Sequence, residues 1–147
     1  MITEPTTLSL CFHRGGTHGK KKVMSNIIKA LTGGPFSHVE LYLPHNNQCF
    51  SASGYEDLVR WKRINFTHPE RWVFVPIVTN VPYKIMLQRC RLIEGAKYDH
   101  IGAFFSRGDK SEINNRQRWF CSEACSYVAN LTDPWAVSPN RLYYEVL

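Results

Sequence analysis

A chain of 147 residues with a formal charge of +6 is long enough for one domain with its own core, without disulfide or metal staples. A hydrophobic fraction of 44% and an aromatic fraction of 13% exclude a disordered tail. No apolar run reaches about 18 residues, so no membrane-spanning helix is expected. The positive surplus suits nucleic acid, acidic glycans or membrane surfaces, but it is also common in proteins that bind none of them. The start, Met1-Ile2-Thr3-Glu4-Pro5, lacks the basic-then-apolar pattern of a signal peptide. The five cysteines form no paired framework and include no C-x-x-C. A reducing, cytoplasmic setting is the expectation.

In chain order, Thr6 to Phe12 alternates loosely and reads as a strand. His13 to Lys20 is a polar, glycine-rich loop that does not match the phosphate-binding spacing G-x-x-x-x-G-K-[ST]. Lys20-Lys21-Lys22 reads as a solvated run, with an anion-binding lip as the sharper alternative. Val23 to Leu31 reads as a helix burying Val23, Ile27, Ile28 and Leu31, ended by Gly33-Gly34-Pro35. Phe36 to Leu43 reads as a strand: His38, Glu40 and Tyr42 share a face that lines a cleft or meets solvent, and Val39, Leu41 and Leu43 share the core face. After a turn at Pro44–Asn47, Gln48 to Ser53 is its hairpin partner.

Leu58 to Ile64 and Trp72 to Val78 are further strands, the first with Val59, Trp61 and Arg63 on one face. Pro82 opens a helix over Tyr83 to Glu94 whose buried stripe is Tyr83, Met86, Leu87, Cys90 and Ile93. Tyr98 to Phe105 is an apolar run of undetermined type. Arg107 to Arg118 is polar and loop-like, and a lid role stays open. Arg118 to Asn130 contains a helix that starts at or next to Cys121, with Ala124, Tyr127 and Val128 at helical spacing. Asp133-Pro134 breaks the chain, and Ser138-Pro139 opens a last short helix. No repeat or linker interrupts the sequence, so residues 1–147 are expected to form one α+β domain: a small antiparallel sheet packed against the cysteine helix and at least one other helix.

A cysteine in the first turn of a helix lies in the field of unpaired N–H groups, which favours the thiolate. Most free cysteines are instead inert and buried, and Cys125, Cys11, Cys49 and Cys90 are expected to be so. A cysteine nucleophile needs a base and a polar group to hold that base. His38 is the candidate base. Glu40 lies two positions along the same strand face, about 7 Å away, and Ser51 on the neighbouring strand competes with it. Thiolate, imidazole and carboxylate can also bind zinc, but the usual ligand spacings are absent. Neither metal nor cofactor is expected.

The order of these motifs, Ser37-His38-Val39-Glu40-Leu41 on a strand, a hairpin strand, then Phe120-Cys121-Ser122-Glu123 opening a helix, resembles the circularly permuted papain-like superfamily. That group includes YiiX-like hydrolases, lecithin–retinol acyltransferase-like enzymes and relatives of NlpC-type peptidases. The small phage-encoded members are the most similar, which would imply action in a host cytoplasm. The resemblance spans roughly Leu8 to Val128 in element order, with its motifs confined to Phe36–Leu43 and Trp119–Tyr127. It implies a permuted papain-like fold, Cys121 as nucleophile, His38 as base, and a peptide, amide or acyl-lipid substrate. Many relatives carry a small residue where Glu40 stands. Glu40 is favoured over Ser51 as third member because a carboxylate orients imidazolium better. A different class of reading is an inactive module that uses the same groove and a basic loop to bind an anionic partner, with nucleic acid a remote case of such a partner.

Overall fold

The computed structural model describes residues 6–16, 19–99, 118–131 and 138–147. Strand β1 (Thr6–His13) is followed by α1 (Gly19–Thr32), β2 (His38–Leu43), β3 (Gln48–Ser53), β4 (Leu58–Lys62) and, after a 3-10 turn at Pro69–Arg71, β5 (Trp72–Thr79). Then come α2 (Tyr83–Ile93), β6 (Lys97–Tyr98), β7 (Arg118–Trp119), α3 (Cys121–Ala129) and α4 (Pro139–Val146). The seven strands form one sheet in the order β5-β1-β2-β3-β4-β6-β7. Every pairing is antiparallel except β6 with β7. The α+β class is therefore as expected. Pro76 sits on the edge strand β5, where its missing N–H interrupts no ladder. No helix among the described residues is long and apolar enough to cross a membrane.

Alternation builds the core. Leu8, Leu10 and Phe12 of β1 and Val39, Leu41 and Leu43 of β2 are fully buried, as are Phe50 and Ala52 of β3. Each large apolar side chain among them contributes about 1.5–3 kcal/mol on burial. Helix α3 packs on β2 and β3, and α2 packs on α3. Every α3 residue except Tyr127 is buried, which explains why its sequence is apolar and small nearly all round. The helix ends in a left-handed cap at Asn130 (φ 53°, ψ 53°). Arg89 of α2 donates to the Tyr127 carbonyl at 3.0 Å, and the Thr79 hydroxyl donates to that of Ala129 at 2.7 Å. These contacts fix the C-terminal end of α3.

Two elements differ from the sequence reading. Helix α1 begins at Gly19, not Val23: Lys20, Lys21 and Lys22 are good helix formers and extend it by a turn with their side chains exposed. Its apolar stripe is also turned outward. Val23 and Ile27 are exposed, Ile28 is half-buried, and among the described side chains of the helix Ser25 is the buried one, because the tight loop before the helix claims that face. There Gly16 N–H donates to the Ser25 hydroxyl at 3.0 Å. Gly15 has φ +104° and lies so close to Ser25 and Ser37 that a Cβ would collide with both. In α2, Pro82 caps the helix instead of occupying its first turn, while Met86, Cys90 and Ile93 are buried as expected. The expectations for most of Tyr98–Phe105, for most of Arg107–Arg118 and for Asp133-Pro134 lie outside the described residues.

Helix α4 holds the approach to β2. Ser138 caps it by accepting from the Arg141 N–H at 3.1 Å. Its buried Asn140 clamps Phe36, accepting from the N–H and donating to the C=O, both at 2.9 Å. Tyr143 packs on the rings of Phe36 and Phe12. Ser37 N–H then donates to the His13 carbonyl at 3.0 Å, so the backbone entering His38 is pinned from two sides.

Candidate active site

His38 is the first residue of β2, paired with His13 of β1. Its Nε2 lies 2.7 Å from Glu40 Oε1, so the gap between alternate positions on one strand face is closed by the two side chains leaning together. With Nε2 engaged, Nδ1 is the nitrogen left for another partner. The Cys121 side chain lies close enough to the imidazole to help raise its pKa. Sulfur, imidazole and carboxylate thus gather in one place although Cys121 is remote in sequence.

Cys121 is the first residue of α3, after Phe120 in extended conformation (φ −111°, ψ 171°). The Glu123 carboxylate reaches back to accept from the Phe120 N–H at 3.3 Å, which fixes the turn that presents the sulfur. Trp119 and Phe120, which lead into that turn, are both buried. Cys121 itself is only 2% exposed.

Ser51 does not meet His38: its buried hydroxyl donates to the Val39 carbonyl at 2.7 Å. The imidazole's other partner is Glu40. It is fully buried and lines the cleft rather than meeting solvent. A buried carboxylate is costly unless paired, and the sequence reading missed the residue that pairs it. Arg60 of β4 donates to both carboxylate oxygens, Nη1 to Oε2 at 2.9 Å and Nη2 to Oε1 at 2.6 Å. Ser51 is paired with Arg60, and the register joining Leu41 to Phe50 brings Ser51 beside Glu40, so the guanidinium reaches over a small side chain. The line continues outward: Arg60 Nε donates to Glu56 at 2.9 Å, and so does Lys62. The signal that could have found Arg60 was an arginine inside a short strand, opposite in charge to Glu40, with only a serine between them.

The electrostatics follow from this line. Burial raises the Glu40 carboxyl, but His38 and Arg60 overcome that and hold it below the ordinary carboxylate range. Burial pushes the His38 imidazole down, yet the Glu40 charge, the nearby Cys121 side chain and the bond to Glu40 raise it from 6.5 to about 10. Its neighbour His13 goes the other way, lowered to about 4 by burial and by the positive charges of His38 and Arg71. Its neutral Nδ1 accepts from Gly15 N–H at 3.1 Å.

Three other thiols, Cys11, Cys90 and Cys125, are held above their ordinary range. Burial pushes Cys125 well up, and that sulfur faces the Val39 and Phe50 carbonyls at 3.8 Å. Burial and Glu94 raise Cys90 to about 12. A hydrogen bond with Cys49, together with burial, raises Cys11.

A cleft of about 770 Å³ has His38 and Glu40 in its wall. His38, Glu40 and Tyr98 line its inner end, with Trp72, Met24 and Ile28 among the apolar residues further out. The phenol of Tyr98 is held well above its ordinary value by burial and then by Cys121. Among the described residues, no group of three or more His, Cys, Asp or Glu side chains is arranged to hold a metal ion. No family model matches this sequence, and neither a curated protein nor a solved structure matches it.

Proposed function

We propose that this chain is a thiol-dependent hydrolase or acyltransferase of the permuted papain-like type, acting on an amide, ester or thioester carbonyl. The observation that carries this reading is the gathering of Cys121, His38 and Glu40, with the cysteine on a helix tip and the carboxylate anchored by Arg60.

A histidine raised to about 10 is protonated at neutral pH, so the reacting form sets this imidazolium beside the Cys121 thiolate, the nucleophilic species of a cysteine. The Cys121 sulfur attacks the carbonyl carbon, forming an S–C bond as the C=O electron pair moves onto oxygen. The Cys121 backbone N–H, at the start of α3 and unpaired within the helix, is placed to donate to that oxyanion. Collapse of the intermediate expels the amine, alcohol or thiol, which takes the His38 proton. Water or another acceptor then attacks the acyl-enzyme, and His38 accepts its proton as the S–C bond breaks. Glu40 keeps the imidazole in orientation and charge state throughout, while Arg60 positions Glu40.

A second reading, a non-catalytic module using the same groove, draws on the small exposure of Cys121. Alkylation by iodoacetamide separates the two. With peptide mapping, Cys121 is expected to react at least about 10-fold faster than Cys11, Cys90 and Cys125, whose raised values leave little thiolate. Cys121→Ala and His38→Ala are each expected to abolish that fast phase. Uptake by Cys121→Ala at the wild-type rate would sink the enzyme reading.

A further inference from the structure

We infer that the substrate of this cleft carries a negatively charged group, a carboxylate or a phosphate, seated between the first turn of α1 and the end of β4. The inference deepens the reading of Cys121 as nucleophile and rests on it.

The cleft wall includes Lys20 and Lys21 from α1 on one side, and Lys62 and Arg63 from β4 and the residue after it on the other. Its two acidic residues, Glu40 and Glu56, are already committed. Glu40 is held by Arg60 and His38, and Glu56 by Arg60 and Lys62. Among the described residues Lys20, Lys21 and Arg63 therefore have no carboxylate partner. Lys21 instead lies over the Tyr55 ring, 4.8 Å from its centre, which aims that side chain at the cleft wall.

The position of the lysines is itself unfavourable for stability. Helix α1 has no acidic residue in its first turn, and lysines there oppose the helix dipole, which prefers negative charge at that end. Three cations converging on one opening repel one another as well. An anion between them relieves both conflicts, with the helix N-terminus adding to its hold. Met24, Ile28, Ile64 and Trp72 give the same cleft a half-buried apolar floor. A volume of about 770 Å³ is that of a small-ligand pocket. The ligand chemistry is thus an acyl group with an apolar body and an anionic substituent. The imidazolium of His38 faces the reacting end, and the three unpaired cations face the charged end.

The test compares two alkylating reagents that differ in charge and share a leaving group, iodoacetate and iodoacetamide. Rates are read at Cys121 by peptide mapping. The ratio of the two rates cancels the intrinsic reactivity of the sulfur. In the double charge reversal Lys20→Glu/Arg63→Glu, both at exposed positions, the iodoacetate-to-iodoacetamide ratio is expected to fall about 10-fold. In the wild type, raising salt from about 0.02 M to about 0.5 M is expected to lower it as well. Protection of Cys121 by inorganic phosphate, against protection by succinate, identifies which anion the cleft prefers, and either supports the inference. A ratio unmoved by the charge reversal and by salt overturns it while leaving the nucleophile intact. A Cys121 inert to iodoacetamide as well brings down the underlying enzyme reading, and the inference with it.

Discussion

His38→Ala is expected to slow acyl transfer from an activated ester to Cys121 by on the order of 10³-fold or more. One substitution removes both the holder of the thiol proton and the acid that expels the leaving group. Glu40→Gln should act in the same direction, on the order of 10²-fold or more, since the amide keeps the shape but not the charge. Proton titration gives the sharper readout. The His38 imidazole is expected to titrate by NMR near pH 10, and to fall in Glu40→Gln, where its chief upward influence is gone. Its folded value lies above the unfolded 6.5. The stabilisation this group supplies is therefore complete below pH 6.5 and is lost as the pH rises through about 10. Urea denaturation across that window should show the decline in the wild type and a flatter curve in His38→Ala. A His38 that titrates near 6.5 would remove the imidazolium from the site at neutral pH.

Arg60→Met is expected to destabilise the fold by about 3–5 kcal/mol, the cost of stripping a buried carboxylate of its paired cation. Glu40 is fully buried and Arg60 only 9% exposed, so solvent does little to soften the loss. The double variant Arg60→Met/Glu40→Leu should recover much of that stability in urea denaturation, because apolar replacement of both partners removes the unpaired charge, while catalysis stays lost. Arg60→Lys keeps the charge but not the two-pronged contact, and an intermediate loss is expected. A penalty below about 0.5 kcal/mol for Arg60→Met, the size of an ordinary surface change, would show that this ion pair does not hold the sheet.

The strands were legible where one face had to be buried. In β2 the alternation of Val39, Leu41 and Leu43 against His38, Glu40 and Tyr42 separates the apolar face of the strand from the face that carries the site. The cysteine helix was legible from its small apolar run, and Ser138-Pro139 from capping chemistry. Arg60 was not, because the reading of its strand followed Val59, Trp61 and Arg63, and a partner two strands away leaves no local trace. Nor was the choice between Glu40 and Ser51, which depends on where a hydroxyl spends its hydrogen bond. The outward turn of Val23 and Ile27 was hidden for a similar reason: a 3.6-residue stripe shows that a helix forms, not which side its neighbours will cover. The pairing of β6 with β7 involves two residues on each side, too few to carry a period.

That short parallel pairing has a consequence for how the protein can vary. Lys97 lies opposite Arg118 and Tyr98 opposite Trp119, Asp99 N–H donates to the Trp119 carbonyl at 2.7 Å, and β6 is itself tied to β4. Strands β6 and β7 are therefore locked to each other at one stapled point two residues before the sulfur, and the entry to α3 takes its position from β4 through β6. A substitution that breaks this stitch moves the sulfur off its address without touching Cys121 itself.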